Sequence, residues 1–208
     1  DVLQLTQVAK PMLKEHEVLI RVHAASANAA DWHLLRGDPF LFRFVSGLLK
    51  PKNTILGADI AGRVEAVGRN VQEFLPGDAV FGDLSGCGLG GFAEYVSVPE
   101  HAVITKPASM TFEQAAAVPM AAVTALQALR DQGQIQPGHK VLIHGASGGV
   151  GTFAVQIAKS FRAEVTAVCS TRNVEPRPGS LYTLIAPRCD RRMPSTAARP
   201  RPRPVNFV

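Results

Sequence analysis

The stretch Lys140-Val141-Leu142-Ile143-His144-Gly145-Ala146-Ser147-Gly148-Gly149-Val150-Gly151 constrains the fold of this chain more than any other. It sets an apolar strand against a glycine-rich turn, and Thr152 to Lys159 carries on as a helix. Val165-Thr166-Ala167-Val168-Cys169 then reads as a second strand. Strand, helix, strand in that order is a βαβ unit, which needs two parallel strands with the helix laid across them. The glycines fall in the register Ala146-x-Gly148-x-x-Gly151, the spacing of a dinucleotide-binding turn with Ala in its first place. Gly148 lets a pyrophosphate come close to the backbone, and Gly151 lets the helix pack tightly on the strand. The helix N-terminus offers its unpaired N–H groups and a partial positive charge to those phosphates. A plain strand-to-helix turn would use glycines for packing alone. It would not require this spacing between a strand and a helix.

The end of the second strand separates the two nicotinamide dinucleotides. An NAD site places Asp or Glu there to hold the ribose 2′-hydroxyl. This chain has Ser170-Thr171-Arg172-Asn173 instead. Hydroxyls and a guanidinium suit a 2′-phosphate, and no carboxylate repels it, so Ser170, Thr171 and Arg172 point to NADPH. The plainer alternative is an ordinary polar strand end.

Upstream the period changes. Glu17 to His23, Ala61 to Gly68, Asp78 to Gly82 and Phe92 to Val98 are short strands bounded by glycine, with Pro76-Gly77-Asp78 as a turn. Many short strands with Gly and Pro turns predict a small barrel-like β domain over residues 1–110. Thr111-Phe112-Glu113-Gln114 carries a capping-box pattern. A helix follows until Pro119 interrupts it, and a second helix is expected from Thr124 to Gln132, stopped near Gly133. Residues 111–175 thus form the second unit. Residues 176–208 hold seven of the chain's 15 prolines, seven Arg and one Asp. Such a tail is expected to be disordered.

That tail also explains the charge. The whole chain is at +5 and the tail alone at +6, which leaves residues 1–175 near −1. A neutral body gives no electrostatic case for nucleic acid. As a basic arm the tail offers only Tyr182 and Phe207 for stacking, with prolines between its last arginines. Cys87, Cys169 and Cys189 form no C-x-x-C pair, which argues against a disulfide framework or a structural zinc. No apolar run approaches the length of a membrane span, and no signal segment opens the chain, so a cytoplasmic protein is expected.

The motifs together resemble the zeta-crystallin/quinone oxidoreductase branch of the medium-chain dehydrogenase/reductase family. Gly138-His139-x-x-Leu142, Ala146-Ser147-Gly148-Gly149-x-Gly151 and Gln156-x-x-Lys159 carry its signature. Glu17 to Val22, Leu56-Gly57-Ala58-Asp59-Ile60-Ala61-Gly62, Val67-Gly68 and Pro76-Gly77-Asp78-Ala79-Val80 resemble its GroES-like domain. The fold implied is α/β plus β: a GroES-like β-barrel domain, then a partial Rossmann domain. The resemblance places Asn28 near the nicotinamide ribose and substrate and Thr124 facing the nicotinamide, as candidate catalytic residues, with Asp31 ordering the loop and Ser147, Gly148, Gly149 and Val150 holding the pyrophosphate. Asn28 also reads as a turn former, and Thr124 as a helix-surface hydroxyl. Trp32 and Phe40-Leu41-Phe42-Arg43-Phe44 could line a flat apolar pocket or simply be core. His144 is expected as a satisfied core histidine, and Cys87 as a loop thiol.

Zinc-dependent cousins carry a catalytic Cys and a Gly-His-Glu motif. Here the matching stretches read Ala25 to Trp32 and Gly57-Ala58-Asp59, so no metal is expected. A quinone or an activated C=C is electrophilic enough to accept hydride without a Lewis acid. The resemblance therefore implies NADPH-dependent, zinc-free reduction of a quinone or α,β-unsaturated carbonyl, with catalysis resting on proximity. It implies a homodimer as well, through contacts in the half that follows in complete members. The match stops near Glu175. The Arg/Pro-rich continuation is expected to come from a frameshift or a misplaced gene end, leaving two parallel strands with an uncovered face. The competing reading is a non-catalytic remnant that keeps the fold, or binds the cofactor without turnover.

Overall fold

A computed structural model describes residues 4–37, 54–170 and 183–184. Five antiparallel strands build the first unit: β1 (Glu17–Ser26), β2 (Asp59–Val67), β3 (Ala79–Asp83), β4 (Tyr95–Pro99) and β5 (Val103–Thr105), in the order β4-β1-β2-β3-β5. β1 is an inner strand, paired on both edges, Glu17↔Pro99 with β4 and Val18↔Val67 with β2. Alternation along these strands turns Val18, Ile20, Ile60, Val64, Val80 and Val98 to one side, where Phe74 and Leu84 close the core. Register shifts at Leu19/Ile20 and Val22/Ala24 bend β1. The turn before β3 holds as expected: Gly77 N–H donates to Val64 C=O at 2.8 Å, and Leu75 N–H donates to the Asp78 carboxylate at 2.8 Å.

A short helix, α1 (Ala29–Arg36), leaves the end of β1. After the sheet, α2 (Phe112–Ala116) opens on the expected box: Gln114 N–H donates to Thr111 Oγ1, and Thr111 N–H donates to Gln114 Oε1. α3 (Pro119–Leu126) corrects one expectation. α2 ends before Pro119 as expected, but the second helix starts at Pro119 rather than at Thr124, since the first helical position has no intrahelical N–H bond to lose. The helix then widens into a π turn, Gln127–Gln132, closed by Gly133 N–H on Ala128 C=O.

The βαβ unit follows as read: β6 (Lys140–His144), α4 (Gly149–Ser160) and β7 (Glu164–Val168), with β6 and β7 parallel from Lys140↔Glu164 to His144↔Val168. A third parallel strand, β8 (Thr183–Leu184), adds beside β7. It falls in the segment expected to lack structure. The run Leu181-Tyr182-Thr183-Leu184-Ile185 is apolar and strand-forming, and the Arg/Pro average of the tail hides it. The rest of that tail, Cys189 included, lies outside the described residues, as does Phe40 to Phe44.

Among the described residues, α4 covers one face of β6 only, and the strand alternates accordingly. Ile143 is buried there, whereas Leu142 is 67% exposed and His144 is exposed too. His144 is therefore no core histidine: its place on β6 turns it to the uncovered side. Between the units, Ala115 and Ala116 of α2 pack on Ala61 and Phe81 of the sheet, and Ala125 of α3 joins Ile143, Ala154 and Val165 in the second core.

Candidate functional site

β6 and β7 both end at the glycine turn. Gly145 sits at φ +74°, a left-handed conformation that L side chains rarely adopt, and it starts the sharp exit from β6. Gly145 and Ala146 both donate their N–H groups to Val168 C=O, at 2.9 and 3.0 Å, so the turn is moored to the end of β7. Gly148 caps α4 in an extended conformation, and the first bond into the helix runs from Thr152 N–H to Gly148 C=O. The amides of Gly149, Val150 and Gly151 stand ahead of the helix's own ladder, where the dipole favours an anion. A Cβ on Gly149 would meet nothing within 4 Å, whereas one on Gly151 would strike Gly145 O at 2.2 Å. Gly151 thus does the packing, and Gly149 borders open space. Ser147, Gly148, Gly149 and Val150 are exposed at this end. Ser170 is exposed two residues beyond Val168, at the same end of the sheet. Thr171 and Arg172 lie outside the described residues.

A second polar cluster forms where β1 ends. Asn28, the residue before α1, donates through Nδ2 to Asp59 Oδ2 at 3.0 Å and to Ser26 Oγ at 3.2 Å. Ser26 Oγ donates to the same carboxylate oxygen at 3.1 Å, its cross-strand partner in the β1–β2 register. Met120 N–H donates to both Asp59 oxygens at 3.2 Å, which puts a carboxylate at the start of α3. Burial pushes the Asp59 carboxyl above the ordinary aspartate range. The bonds from Asn28, Met120 and Ser26 pull it back, and the facing Asp83 carboxylate pushes it up again.

Thr124 is exposed on α3, and its hydroxyl donates to Met120 C=O at 2.7 Å. Asn28 and Thr124 are therefore linked through Asp59 and Met120, although they stand on different elements. Asp31 orders the neighbouring loop as expected: its buried carboxylate accepts from Asn28 N–H at 2.8 Å and from Gly57 N–H at 3.2 Å. Trp32 is 48% exposed, with the Arg36 guanidinium 4.9 Å above its ring. Cys87 is a free, half-buried loop thiol.

Asp59 is the residue that motif reading passed over, treating Gly57-Ala58-Asp59 as a zinc motif's gap. The signal was present: a charged residue inside the apolar run Leu56 to Ala61 has to find partners.

Comparison with known proteins supplies the family. The alcohol dehydrogenase GroES-like domain matches residues 14–108. A chloroplast envelope quinone oxidoreductase homolog of Arabidopsis thaliana is 39% identical over 180 residues, 83% of this chain and 53% of that protein. The solved quinone oxidoreductase of Coxiella burnetii superposes with a TM-score of 0.74 at 36% identity, over 82% of this chain and 53% of its own. The chain belongs to the quinone oxidoreductase branch of the medium-chain dehydrogenase/reductase family. The chain spans about half the length of the curated relatives it matches. The Escherichia coli quinone oxidoreductase, solved in complex with NADPH, is similar over 81% of this chain and 49% of its own, at 27% identity and a TM-score of 0.69. The glycine turn of this family member fits a dinucleotide: it offers open amides at a helix start, beside a glycine whose missing Cβ leaves room.

Proposed function

We propose that this chain carries the site of an NADPH-dependent reductase that delivers hydride to a quinone or an α,β-unsaturated carbonyl without zinc, as a cytoplasmic protein. The observation that carries this is the end of the parallel sheet, where the open α4 N-terminus and Ser170 stand together. Bound there, NADPH would supply the hydride. Ser147, Gly148, Gly149, Val150 and Gly151 would hold the pyrophosphate through backbone amides, with Gly151 fixing the helix against the turn. Ser170, Thr171 and Arg172 would take the 2′-phosphate. Asn28 and Thr124 would position nicotinamide and substrate. Ala58 stands where zinc-dependent relatives carry a His ligand, which leaves the acceptor's own electrophilicity to drive transfer.

The test is titration of the 208-residue chain with NADPH, followed by nucleotide fluorescence and thermal shift, with NADH as control. Saturable, NADPH-selective binding is expected, lost in Arg172→Asp. Oxidation of NADPH on adding a quinone or an enone completes the assignment. Binding without oxidation of NADPH by either acceptor would return the chain to a cofactor-binding role, and equal affinity for NADH would overturn the choice of dinucleotide.

A further inference from the structure

A fully buried carboxylate is an expensive thing to keep on a sheet, because its desolvation has to be offset by good partners. Asp59 is buried completely, in a run from Leu56 to Ala61 with no other charge. Its partners come from three elements: Ser26 at the end of β1, Asn28 at the start of α1, and Met120 at the start of α3. The hydrogen bonds also have a direction. An ionised carboxylate only accepts, so the Ser26 hydroxyl proton goes to Asp59, and Ser26 Oγ is then left to accept from Asn28. Both Nδ2 protons of Asn28 are thereby spent, one on Asp59 and one on Ser26. Turning the amide over would set its oxygen against the carboxylate at about the same distance, which charge repulsion forbids.

We propose that Asp59 is a positioning residue: it locks the Asn28 carboxamide with its NH2 turned inward and its carbonyl oxygen turned away, and it ties that setting to the start of α3, which carries Thr124. The Asn28 carbonyl oxygen is then held towards the Asp31 N–H of the α1 capping box. That Asn28 and Thr124, so fixed, position the nicotinamide end of a cofactor rests on the proposed cofactor site; the locking of the amide does not. Thr124 is held to the same anchor, because its hydroxyl bonds the carbonyl of the residue whose N–H meets Asp59.

The decisive experiment uses nitrogen-15 spectra of the full chain without nucleotide, then NADPH titration. The Asn28 side-chain pair, assigned by its loss in Asn28→Ala, should be shifted away from exposed amides and slow to exchange. In Asp59→Asn that pair should move to exposed-amide positions and the Met120 amide should shift, while Gln114 signals in the α2 cap stay in place and report an intact fold. The NADPH dissociation constant should rise about tenfold, the loss of one hydrogen bond to a charged group. Reversing the pair, Asn28→Asp with Asp59→Asn, should recover about tenfold of the binding lost in Asn28→Asp alone, where two carboxylates face each other.

If Asp59→Asn does not fold, Ser26→Ala removes only the bridging hydroxyl and should shift the same Asn28 and Met120 signals by less. Asn28 signals unmoved in a folded Asp59→Asn or Ser26→Ala, or additive losses in the reversed pair, would overturn the proposal. Wild-type protein that binds no NADPH would instead overturn the cofactor reading, and the spectra would still decide the role of Asp59.

Discussion

Gly151 lies against Gly145 so closely that a single methyl group on Gly151 would fall 2.2 Å from the Gly145 carbonyl oxygen. Backbone is on the other side of this contact, so relief requires α4 to move off β6. Gly151→Ala should cost about 2–3 kcal/mol in urea unfolding, the scale of overpacking in a tight core. Gly149→Ala, two residues earlier, meets open space and should leave stability within about 0.5 kcal/mol while weakening NADPH binding. Equal destabilisation by the two substitutions would contradict this division of labour.

Asp31 supports the loop that presents Asn28. The residue is only 5% exposed, and its carboxylate serves two backbone N–H groups, one of them on Gly57, 26 residues away in sequence. Asp31→Ala leaves both donors without their partner and should lower stability by about 2–3 kcal/mol. Amide exchange at Gly57 and Asn28 should speed up together. Exchange unchanged at Gly57 would show that the bridge does not hold the loop.

The raised carboxyl of Asp59 gives an inverted pH dependence. The native state holds that proton more tightly than the unfolded chain does. The group's contribution is therefore fully present below the ordinary aspartate range and is lost as pH rises through the elevated native value. Calorimetry of wild type and Asp59→Asn at stepped pH isolates it. The Tm advantage of wild type should grow as pH falls from neutral towards 4, a choice that brackets the ordinary carboxylate range. An advantage that shrinks on acidification would mean that the partners outweigh burial.

Arg162 follows the end of α4 at φ +59°, a left-handed position usually given to glycine. Its backbone is committed there, since Gly138 N–H donates to Arg162 C=O at 3.0 Å. Arg162→Gly should stabilise the protein by about 1 kcal/mol, because the Cβ clash disappears. A lower Tm in the variant would show that the arginine side chain more than offsets its own strain.

The parts visible in the sequence are those governed by local rules. Strand Lys140 to His144, helix Gly149 to Ser160 and the Thr111–Gln114 cap each follow from spacing over a few residues. Pro119 hid the start of the second helix, because a proline that stops one helix can also open the next at its first turn, where its missing N–H costs nothing. His144 misled because burial depends on how many faces of β6 are covered, a property of the assembled sheet. Thr183–Leu184 was lost in an average over arginines and prolines. Asp59 was visible as a charge out of place, but its partners lie 31 to 61 residues away along the chain, and only the register of β1 on β2 and the seat of α3 bring them together.

The order β4-β1-β2-β3-β5 has a consequence for how the chain is made. β1 needs β4 on one edge, and Glu17↔Pro99 cannot form until that distant strand exists. Synthesis at roughly 5–20 residues per second leaves several seconds between the two. For that interval Val18 and Ile20 travel uncovered, while the later βαβ unit closes over a loop of local length. A nascent chain stalled before Tyr95 should bind chaperone, and one stalled well past Pro99 should release it.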